Sequence, residues 1–421
     1  MEPHTPDSEI RPPLIVPRPE HTLSRKNVSV EALKVLYRLH HAGYKAYLVG
    51  GSVRDLLLGK QPKDFDIATD ARPGEIRKLF RNSRIIGRRF RLVQVFFRGG
   101  KIVEVSTFRC RSEFDDTSET PVDARHNTFG TPAEDAQRRD LTINGLFYNI
   151  ADFSLVDYVG GLEDLRRGII RVIGDPAVRF VRDPMRMLRV LRHAARTGFA
   201  IEPRAWEELT AKPHLIRLCA PARIRDELLR DFKSGAARPF FELMFKSGLF
   251  YAILPHWQGR LGEQGEKRLL DLFSRIDLLT RHERPVSETL FWAALLIPFL
   301  EKEVMPENLK DVREFFREKG REALGPIEFP RQRGDEVAQT LALAVTIASF
   351  LKEERPIPAR TTRLSAFPEA YRLYQLTEAP EEELLQIFSD AEVQLPPAAV
   401  RRRRPRRRRF KKKGRRLPRP Q

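Results

Sequence analysis

The stretch YLVGGSVRDLLLGKQPKDFDIAT, residues 47–69, carries the pattern that decides the predicted fold. A short apolar run breaks at Gly50 and Gly51, and apolar residues at helical spacing follow as far as Gly59. Glycines between a strand and a helix allow backbone N–H groups to approach an anion closely, and the helix N-terminus adds positive dipole. The first half of the stretch therefore predicts a strand, a phosphate-binding turn and a helix.

The second half of the stretch brings two carboxylates together. Asp64, Phe65 and Asp66 have the pattern of a strand, on which side chains two residues apart point to the same side. Neighbouring carboxylates repel each other, and Mg²⁺ binds one or two carboxylates together with substrate phosphates. We therefore expect Asp64 and Asp66 to bind a metal beside the phosphate-binding turn, which is the arrangement of a nucleotidyl-transfer site.

Each half has a simpler interpretation when it is taken alone. A Gly-Gly pair after a strand is most often only a turn, and an Asp-x-Asp sequence is common at solvated strand edges. The spacing favours the functional interpretation, because the segment between Ser52 and Asp64 is long enough for a helix and a return to a neighbouring strand.

Length and charge limit the classes of protein to consider. The 421 residues carry a formal net charge of +19, and 41% of them are hydrophobic. This length predicts two or more domains, and this charge predicts a polyanionic partner. Fourteen Lys or Arg residues and no acidic residue lie in residues 401–421, which leaves +5 for the first 400 residues. Because so dense a run of like charge repels itself, we expect a disordered tail that binds phosphate backbones.

Cysteine usage and hydropathy indicate the compartment. Cys110 and Cys219 form no zinc-binding pattern, and we expect two reduced thiols. No apolar run reaches the roughly 18 residues needed to cross a bilayer. The N-terminus has no hydrophobic signal region. The sequence therefore predicts a cytoplasmic protein without a transmembrane segment.

The order of strand-like and helix-like patterns predicts the domain organisation. Strand patterns near residues 65, 93 and 104 alternate with helical patterns, and the chain beyond residue 203 is helical to about residue 390. The predicted segments are a flexible N-terminal segment (1–24), an α+β head domain (25–175), a helical neck (176–255), a helical body (256–392) and a disordered Arg/Lys-rich tail (393–421).

Two segments next to the predicted site differ in their sequence patterns. Residues 109–131 are polar and rich in acids, and we expect a mobile loop there. Residues 135–148, DAQRRDLTINGLFY, are predicted to form one helix, with Leu141, Ile143 and Phe147 setting its register.

Four motifs occur in order along the first half of the chain. They are Gly50-Gly51-Ser52-Val53-Arg54-Asp55, Asp64-Phe65-Asp66, Arg138-Arg139-Asp140-Leu141-Thr142-Ile143-Asn144 and Asp183-Pro184-Met185-Arg186-Met187-Leu188-Arg189. Over roughly residues 22–255 the sequence thereby resembles the class II nucleotidyltransferases, the family of CCA-adding tRNA enzymes and bacterial poly(A) polymerases.

Further sequences resemble the poly(A) polymerase branch of that family. These are Lys60-Gln61-Pro62-Lys63, Gly87-Arg88-Arg89-Phe90-Arg91-Leu92, His21-Thr22-Leu23-Ser24-Arg25-Lys26 and the long basic tail. CCA-adding enzymes usually have a shorter Gly-Thr type sequence after the Gly-Arg turn and lack such a tail.

The resemblance implies a fold and an activity. The implied fold is of the α+β class, with a small polymerase-β-like head containing a mixed sheet, an all-α body and a disordered basic tail. The implied activity is template-independent transfer of AMP from ATP to RNA 3′-hydroxyl ends, with release of pyrophosphate, in RNA processing and decay. A CCA-adding or A-adding tRNA nucleotidyltransferase is the alternative, and an RNA-binding scaffold with an inactive head is a third hypothesis.

The resemblance also implies catalytic residues and a cofactor. Asp64 and Asp66 would hold two Mg²⁺ ions, and Asp140 would be a third acidic group. Glu104 is a rival for that third carboxylate, since its strand is expected beside the aspartates. Where Arg182 stands the family usually has Glu, so either base selectivity is tuned differently or Arg182 contacts phosphate.

Roles in binding nucleotide and RNA follow from the same resemblance. The incoming base would be read by Asp183 and Arg186. The implied nucleotide-binding residues are Gly50, Gly51, Ser52, Arg54, Arg139, Asn144, Asp183, Arg186 and Arg189. The implied RNA-binding residues are Arg88, Arg89 and Arg91 together with Arg401, Arg402, Arg403, Arg404, Arg406, Arg407, Arg408 and Arg409. The expected partners of a monomer are ATP, the 3′ ends of messenger, small and transfer RNAs, and RNA-decay proteins.

Overall fold

The computed structural model describes residues 12–87, 91–110 and 129–388, apart from residues 302, 305, 307, 308, 326 and 328. The chain divides into two compact units, with the boundary between Arg260 and Leu261 and with residues 324–328 grouped with the first unit. The predicted basic tail and most of the predicted loop at 109–131 lie outside the described residues.

A mixed eight-stranded sheet organises the first unit. Its strands are β1 (Leu14–Val16), β2 (Ala46–Val49), β3 (Asp66–Thr69), β4 (Ser83–Ile86), β5 (Leu92–Phe96), β6 (Ile102–Thr107), β7 (Leu146–Asn149) and β8 (Leu155–Asp157). They lie in the order β1-β8-β7-β2-β3-β6-β5-β4. The pairing of β3 with β6 is parallel and the other pairings are antiparallel, which confirms the predicted mixed sheet. A separate parallel pair joins β9 (Ile169–Ile170) to β10 (Ala200–Ile201).

The first unit also contains helices, which lie between and after these strands in the sequence. They are α1 (Val30–His41), α2 (Gly51–Leu57), α3 (Pro73–Leu79), α4 (Pro132–Gln137), α5 (Gly161–Arg167), α6 (Pro176–Arg182), α7 (Met185–Thr197), α8 (Pro203–Ala211), α9 (Pro221–Phe232), α10 (Ala237–Lys246) and α11 (Leu249–Ile253). Ser29 caps α1 as its oxygen accepts a hydrogen bond from the N–H of Ala32, 3.1 Å away.

The N-terminal segment corrects one expectation. Residues 1–24 were predicted to be flexible, yet Leu14–Val16 form an edge strand that pairs with Leu155–Asp157. Three residues carry too little pattern to be recognised, and their stability comes from the backbone hydrogen bonds of a strand that is distant in sequence.

Strict alternation separates the two faces of the sheet. Val103 and Val105 of β6 are buried, whereas Glu104 between them is only half-buried. The same alternation buries Val93 and Val95 of β5. These valines join side chains of α1 and α3 in the main hydrophobic core, which leaves the polar positions on the opposite face.

The single helix predicted for residues 135–148 is wrong. The helix α4 ends at Gln137, a 3₁₀ helix covers Thr142–Asn144, and Leu146–Asn149 form β7. The apolar spacing suits a helix locally, but β7 lies between β2 and β8, where the sheet supplies hydrogen bonds on both sides. Tertiary pairing therefore overrides the local pattern.

The second unit is helical, as predicted. The helices from Leu261 onward are α12 (Gly262–Arg281), α13 (Glu288–Leu300), α14 (Leu309–Leu324), α15 (Arg331–Lys352), α16 (Ala359–Thr362), α17 (Phe367–Glu378) and α18 (Glu381–Ile387). The helix α13 is buried on nearly all sides, and Trp292 within it is a core residue. Within the described parts of the chain, none of the helices is both long and apolar enough to cross a membrane.

Packing of α5 on the turn that bears Asn144 allows no side chain at Gly161. A Cβ atom built at Gly161 would overlap the carbonyl oxygen of Thr142, whereas one built at Gly74 in α3 would meet nothing within 4 Å. We expect Gly161→Ala to lower the free energy of unfolding by about 2 kcal/mol or more, because backbone must move. Gly74→Ala should be neutral or stabilising.

Urea unfolding followed by circular dichroism compares the two variants. Equal unfolding midpoints for Gly161→Ala and Gly74→Ala would contradict this account of the packing.

Candidate active site

Asp66 and Glu104 lie side by side in the middle of the sheet. Asp66 begins β3 and is in register with Val49 of β2 and Glu104 of β6. Residues paired directly across neighbouring strands place their side chains on the same face, roughly 5 Å apart. Asp64 is exposed and precedes β3, so the strand begins two residues later than predicted.

Negative charge accumulates around Asp66. Partial removal from water, and then the carboxylates of Glu104 and Asp64, raise the pKa of Asp66 to about 6, although the charge of Arg139 opposes this. A divalent cation relieves such repulsion between carboxylates. The donor set therefore fits a hard cation held by Asp64 and Asp66.

Two protein carboxylates are enough to hold such a cation, although the described residues contain no group of three or more His, Cys, Asp or Glu side chains that could hold a metal ion. Mg²⁺ is commonly held by one or two carboxylates while water and substrate phosphates complete its coordination. An open pair of aspartates meets that requirement.

The glycine turn lies against the carboxylates, as the sequence predicted. Gly50 follows β2 with a φ of 73°, in the left-handed region that favours glycine. A Cβ atom built there would be 3.3 Å from Nη1 of Arg139 and 3.9 Å from Oδ2 of Asp66. The turn, one arginine and one aspartate from three motifs are thus brought together, and a side chain at Gly50 would crowd them.

Arg139 is held from several sides. Its Nη2 donates to Oδ2 of Asp135 at 2.9 Å, and its guanidinium lies 5.1 Å from the ring centre of Phe147. Its backbone carbonyl accepts hydrogen bonds from Arg179 at 2.7 Å and from Arg186 at 2.9 Å. Arg186 therefore fixes the backbone that carries Arg139, which is a contact that the sequence did not reveal.

Ser52 and Arg54 face inward. The hydroxyl of Ser52 donates to the carbonyl of Val49 at 3.0 Å. Arg54 is 4% exposed, and its guanidinium donates to Asp55 at 2.7 Å and to Oδ1 of Asn144 at 2.6 Å. These two side chains, predicted to contact nucleotide, tie α2 to β2 and to the turn at Asn144.

Asn144 and His193 complete a buried polar network around Arg54. Nδ1 of His193 lies 3.1 Å from Nη1 of Arg54, and its Nε2 lies 3.2 Å from Nδ2 of Asn144. Because arginine has only donors, Nδ1 accepts. Burial and then the charge of Arg54 hold the pKa of His193 well below its usual range, so the ring is neutral.

Asp140 belongs to this network. Its Oδ1 accepts a hydrogen bond from the N–H of Leu141 at 2.8 Å, and Arg189 lies 2.9 Å from its Oδ2. Burial acts to raise the pKa of Asp140, but the charges of Arg189 and other neighbours hold it well below its usual range. The structure thus places the buried Asp140 in an ion pair with the partly exposed Arg189, and Glu104, its rival, beside Asp66.

The last motif lies where α6 meets α7. Oδ1 of Asp183 accepts a hydrogen bond from Nη2 of Arg223 at 3.2 Å. Arg186 and Arg189 are one turn apart on α7 and partly buried, and Arg182 is exposed. The helix α7 therefore joins the predicted base-reading residues to the backbone of Arg139 and to Asp140.

Comparison with known proteins decides the family. Residues 46–171 match the model described as "Poly A polymerase head domain", and residues 198–260 match that described as "Probable RNA and SrmB- binding site of polymerase A". Residues 46–171 belong to the poly A polymerase head domain family.

Curated relatives agree with this assignment. Over 299 residues, 68% of the chain, it is 44% identical to poly(A) polymerase I of Salmonella typhi and 43% identical to that of Escherichia coli O157:H7. The chain spans 64% of the length of each. It is also 34% identical over 272 residues, 64% of each chain, to the CCA-adding enzyme of Lactobacillus helveticus.

Solved structures show the same fold. The Bacillus stearothermophilus CCA-adding enzyme in complex with CTP is 26% identical, with a TM-score of 0.64, over 85% of this chain and 80% of that one. The Thermotoga maritima CCA-adding enzyme complexed with tRNA is 22% identical, with a TM-score of 0.59, over 86% and 83%.

The structure describes only some of the predicted RNA-binding residues, and the sequence did not indicate one residue that contacts Glu104. Arg88, Arg89 and the tail arginines lie outside the described residues, and Arg91 is exposed. Gln94 was not predicted, yet its Nε2 donates to Oε1 of Glu104 at 3.0 Å. A polar residue between two buried valines was the signal that could have identified it.

The neutral state of His193 predicts a pH-dependent stability of this head domain. Below pH 6.5 the unfolded chain binds a proton that the folded ring resists, so the free energy of unfolding should fall as pH decreases, by up to about 1.4 kcal/mol per pH unit. His193→Gln should remove this contribution, and the exposed His256→Gln should retain it.

Urea unfolding between pH 7.5 and 5.5 measures the effect in all three proteins. If the stability difference between the native chain and His193→Gln were independent of pH, His193 would bind a proton in the folded state.

Proposed function

We propose that the chain is a poly(A) polymerase that transfers AMP from ATP to RNA 3′-hydroxyl ends with release of pyrophosphate, in RNA processing and decay. The observation that carries the proposal is the meeting of Asp66, Glu104, Arg139 and the Gly50 turn on one face of the sheet. The similarity to curated poly(A) polymerases supports ATP and RNA as the substrates.

In this proposal Asp64 and Asp66 hold two Mg²⁺ ions. Bound there, the ions would lower the charge at the reacting phosphate and favour the ionised 3′-hydroxyl. The Gly50 turn leaves room for phosphate oxygens, and Arg139 provides the nearest cation. Gly51 and Ser52 would contribute backbone N–H groups, while Arg54 positions the turn from behind.

Glu104 is our choice for the third carboxylate. It is in register with Asp66, whereas the carboxylate of Asp140 is engaged by Arg189. Gln94 fixes Oε1 of Glu104, and Oε2 is left to accept the proton of the 3′-hydroxyl as that oxygen bonds to the α-phosphorus and pyrophosphate leaves. Asp140 instead orients Arg189 and Asn144.

The incoming base is assigned to the junction of α6 and α7. Asp183 offers a hydrogen-bond acceptor, and Arg186 and Arg189 offer donors, so together they can match the edge of adenine. Arg186 also holds the carbonyl of Arg139, and base recognition would thus be linked directly to the position of the phosphate-binding arginine.

A CCA-adding or A-adding tRNA nucleotidyltransferase is the second candidate. The observation that favours it is the likeness in sequence and fold to CCA-adding enzymes. The two activities share the carboxylates and differ in their products, since one yields long poly(A) on many RNAs and the other a few additions on tRNA.

The proposal includes a cellular setting. We place the enzyme in the cytoplasm as a monomer, acting on messenger, small and transfer RNAs together with RNA-decay proteins. The match of residues 198–260 to a probable RNA and SrmB-binding region supports RNA and a protein partner.

Primer extension tests the activity. Purified chain with Mg²⁺ should extend an unstructured RNA into a long ladder with ATP, and to a much smaller extent with CTP. Asp64→Asn and Asp66→Asn should each lower the rate about 100-fold or more, because removing one negative oxygen weakens metal binding while the fold is kept. Asp311→Asn, an exposed change on α14, is the matched control.

Three other outcomes bear on the proposal. Extension restricted to a tRNA lacking its CCA end, stopping after one to three additions, would assign the chain to the second candidate. Full activity in Asp64→Asn would refute the assigned metal site, and no extension of any RNA would favour a non-catalytic scaffold.

The basic tail is proposed to bind RNA phosphates without reading bases. Deleting residues 401–421 removes fourteen of the positive charges. RNA affinity should fall and its dependence on salt should become shallower, because fewer counterions are released on binding. Fluorescence anisotropy with labelled RNA at several salt concentrations measures both, and an unchanged salt slope would show that the tail does not contact RNA.

A further inference from the structure

The face of the sheet that carries Asp66 is covered over only part of its width by described residues. Val49, Phe147 and Val156 on this face pack against Phe108 and Ala136 in a small hydrophobic core. On the same face of β4, β5 and β6, Arg84 and Phe96 are exposed and Gln94 and Glu104 are half-buried. The open half begins at Glu104, directly beside Asp66.

A continuous polar row crosses this open half. Asp66 pairs with Glu104, Glu104 with Gln94, and Gln94 with Arg84 of the edge strand β4. Paired residues of neighbouring strands share a face, so the row runs from the carboxylates to the sheet edge. At the far end Arg84 is exposed, and it makes no hydrogen bond or ion pair with any described residue.

An exposed apolar pair lies beside this row. Phe96 is 38% exposed and pairs with Ile102, which is 45% exposed. They lie two residues from Gln94 and Glu104 on the same strands, hence on the same face and roughly 7 Å away. The exposed side chains of Phe96, Ile102 and Arg84 and the carboxylates therefore lie on one continuous face of the sheet.

We propose that this surface, formed by Arg84, Gln94, Phe96, Ile102 and Glu104, binds the unpaired 3′ end of the RNA substrate. A base stacks on Phe96 beside Ile102, a phosphate contacts Arg84, and the terminal hydroxyl lies at Glu104 and Asp66. The inference rests on the proposed function and adds to it the path of the acceptor strand within the head domain.

The chemistry of the surface favours single-stranded RNA as the occupant. Aromatic stacking accepts any base, and a nearby arginine neutralises the backbone, which is how proteins bind single strands without reading sequence. Bases in a duplex offer no free face to Phe96, so the surface selects unpaired ends. The surface runs from Arg84 at the sheet edge to the carboxylates of Glu104 and Asp66. This order also suits an RNA strand whose terminal 3′-hydroxyl must reach Asp66.

Steady-state kinetics on the full chain test the proposal. With an unstructured RNA of about 12 nucleotides, Phe96→Ala and Arg84→Gln should each raise the KM for RNA about tenfold, from lost stacking and lost phosphate contact. The KM for ATP should stay within about twofold, because both residues are remote from the Gly50 turn. Phe96→Leu, which keeps the apolar packing, should still raise the KM for RNA.

A matched control lies on the same edge strand. Ile85 is 37% exposed, but it pairs with the buried Val93 and therefore faces the opposite side of the sheet. Ile85→Ala should leave the KM for RNA unchanged. An equal rise in Ile85→Ala would overturn the proposal, because it would indicate a general disturbance of the sheet.

Photo-crosslinking tests the contact without catalysis. RNA carrying 4-thiouridine at its last two positions, mixed with Asp64→Asn protein, should crosslink to the peptide that contains residues 92–104. Crosslinks elsewhere together with an unchanged KM for RNA in Phe96→Ala would overturn the proposal. Loss of extension in the native chain with this crosslink retained would instead refute the proposed function alone.

Discussion

The register of β3 against β6, which sets Asp66 beside Glu104, is the constraint on which the site in the first unit depends. Parallel pairing keeps both side chains on one face of the sheet for as long as the strand hydrogen bonds hold. Burial of the valines on the other face, against α1 and α3, prevents a slip of register, since one residue of slip would expose them all. Partial removal from water, and then the charges of Glu104 and Asp64, raise the pKa of Asp66, and a bound cation would favour its ionised form.

The second arrangement that the site requires is the buried network of Arg54, Asn144, His193 and Asp140. A buried guanidinium is tolerated only when its donors are satisfied, and Arg54 has Asp55, Asn144 and His193 as partners. These contacts join α2, the turn before β7, and α7. Segments far apart in sequence thereby hold the Gly50 turn and Arg139 at fixed positions.

Sequence alone was sufficient for features that depend on local chemistry. The Gly50 turn, the alternation in β6 and the helical second unit follow from spacing and composition. Features that depend on distant partners were not accessible. The helix predicted for residues 135–148 became β7 because β2 and β8 pair with it, and Arg54 faces inward because His193 and Asn144 meet it there. Glu104 and Asp140 could be ranked only when strand register was known.

The two substrates of the proposed reaction would reach the carboxylates from different sides. The Gly50 turn follows β2 and lies against Arg139, on the side of Asp66 where Phe108 and Ala136 pack over the face in a small hydrophobic core. The open strands β4, β5 and β6 lie on the other side. Asp66 at the junction is therefore next to both, and a nucleotide held at the turn need not compete with an RNA strand for the same surface. The register of one sheet then determines how both the nucleotide and the RNA strand reach Asp66, since it sets which side chains flank that residue.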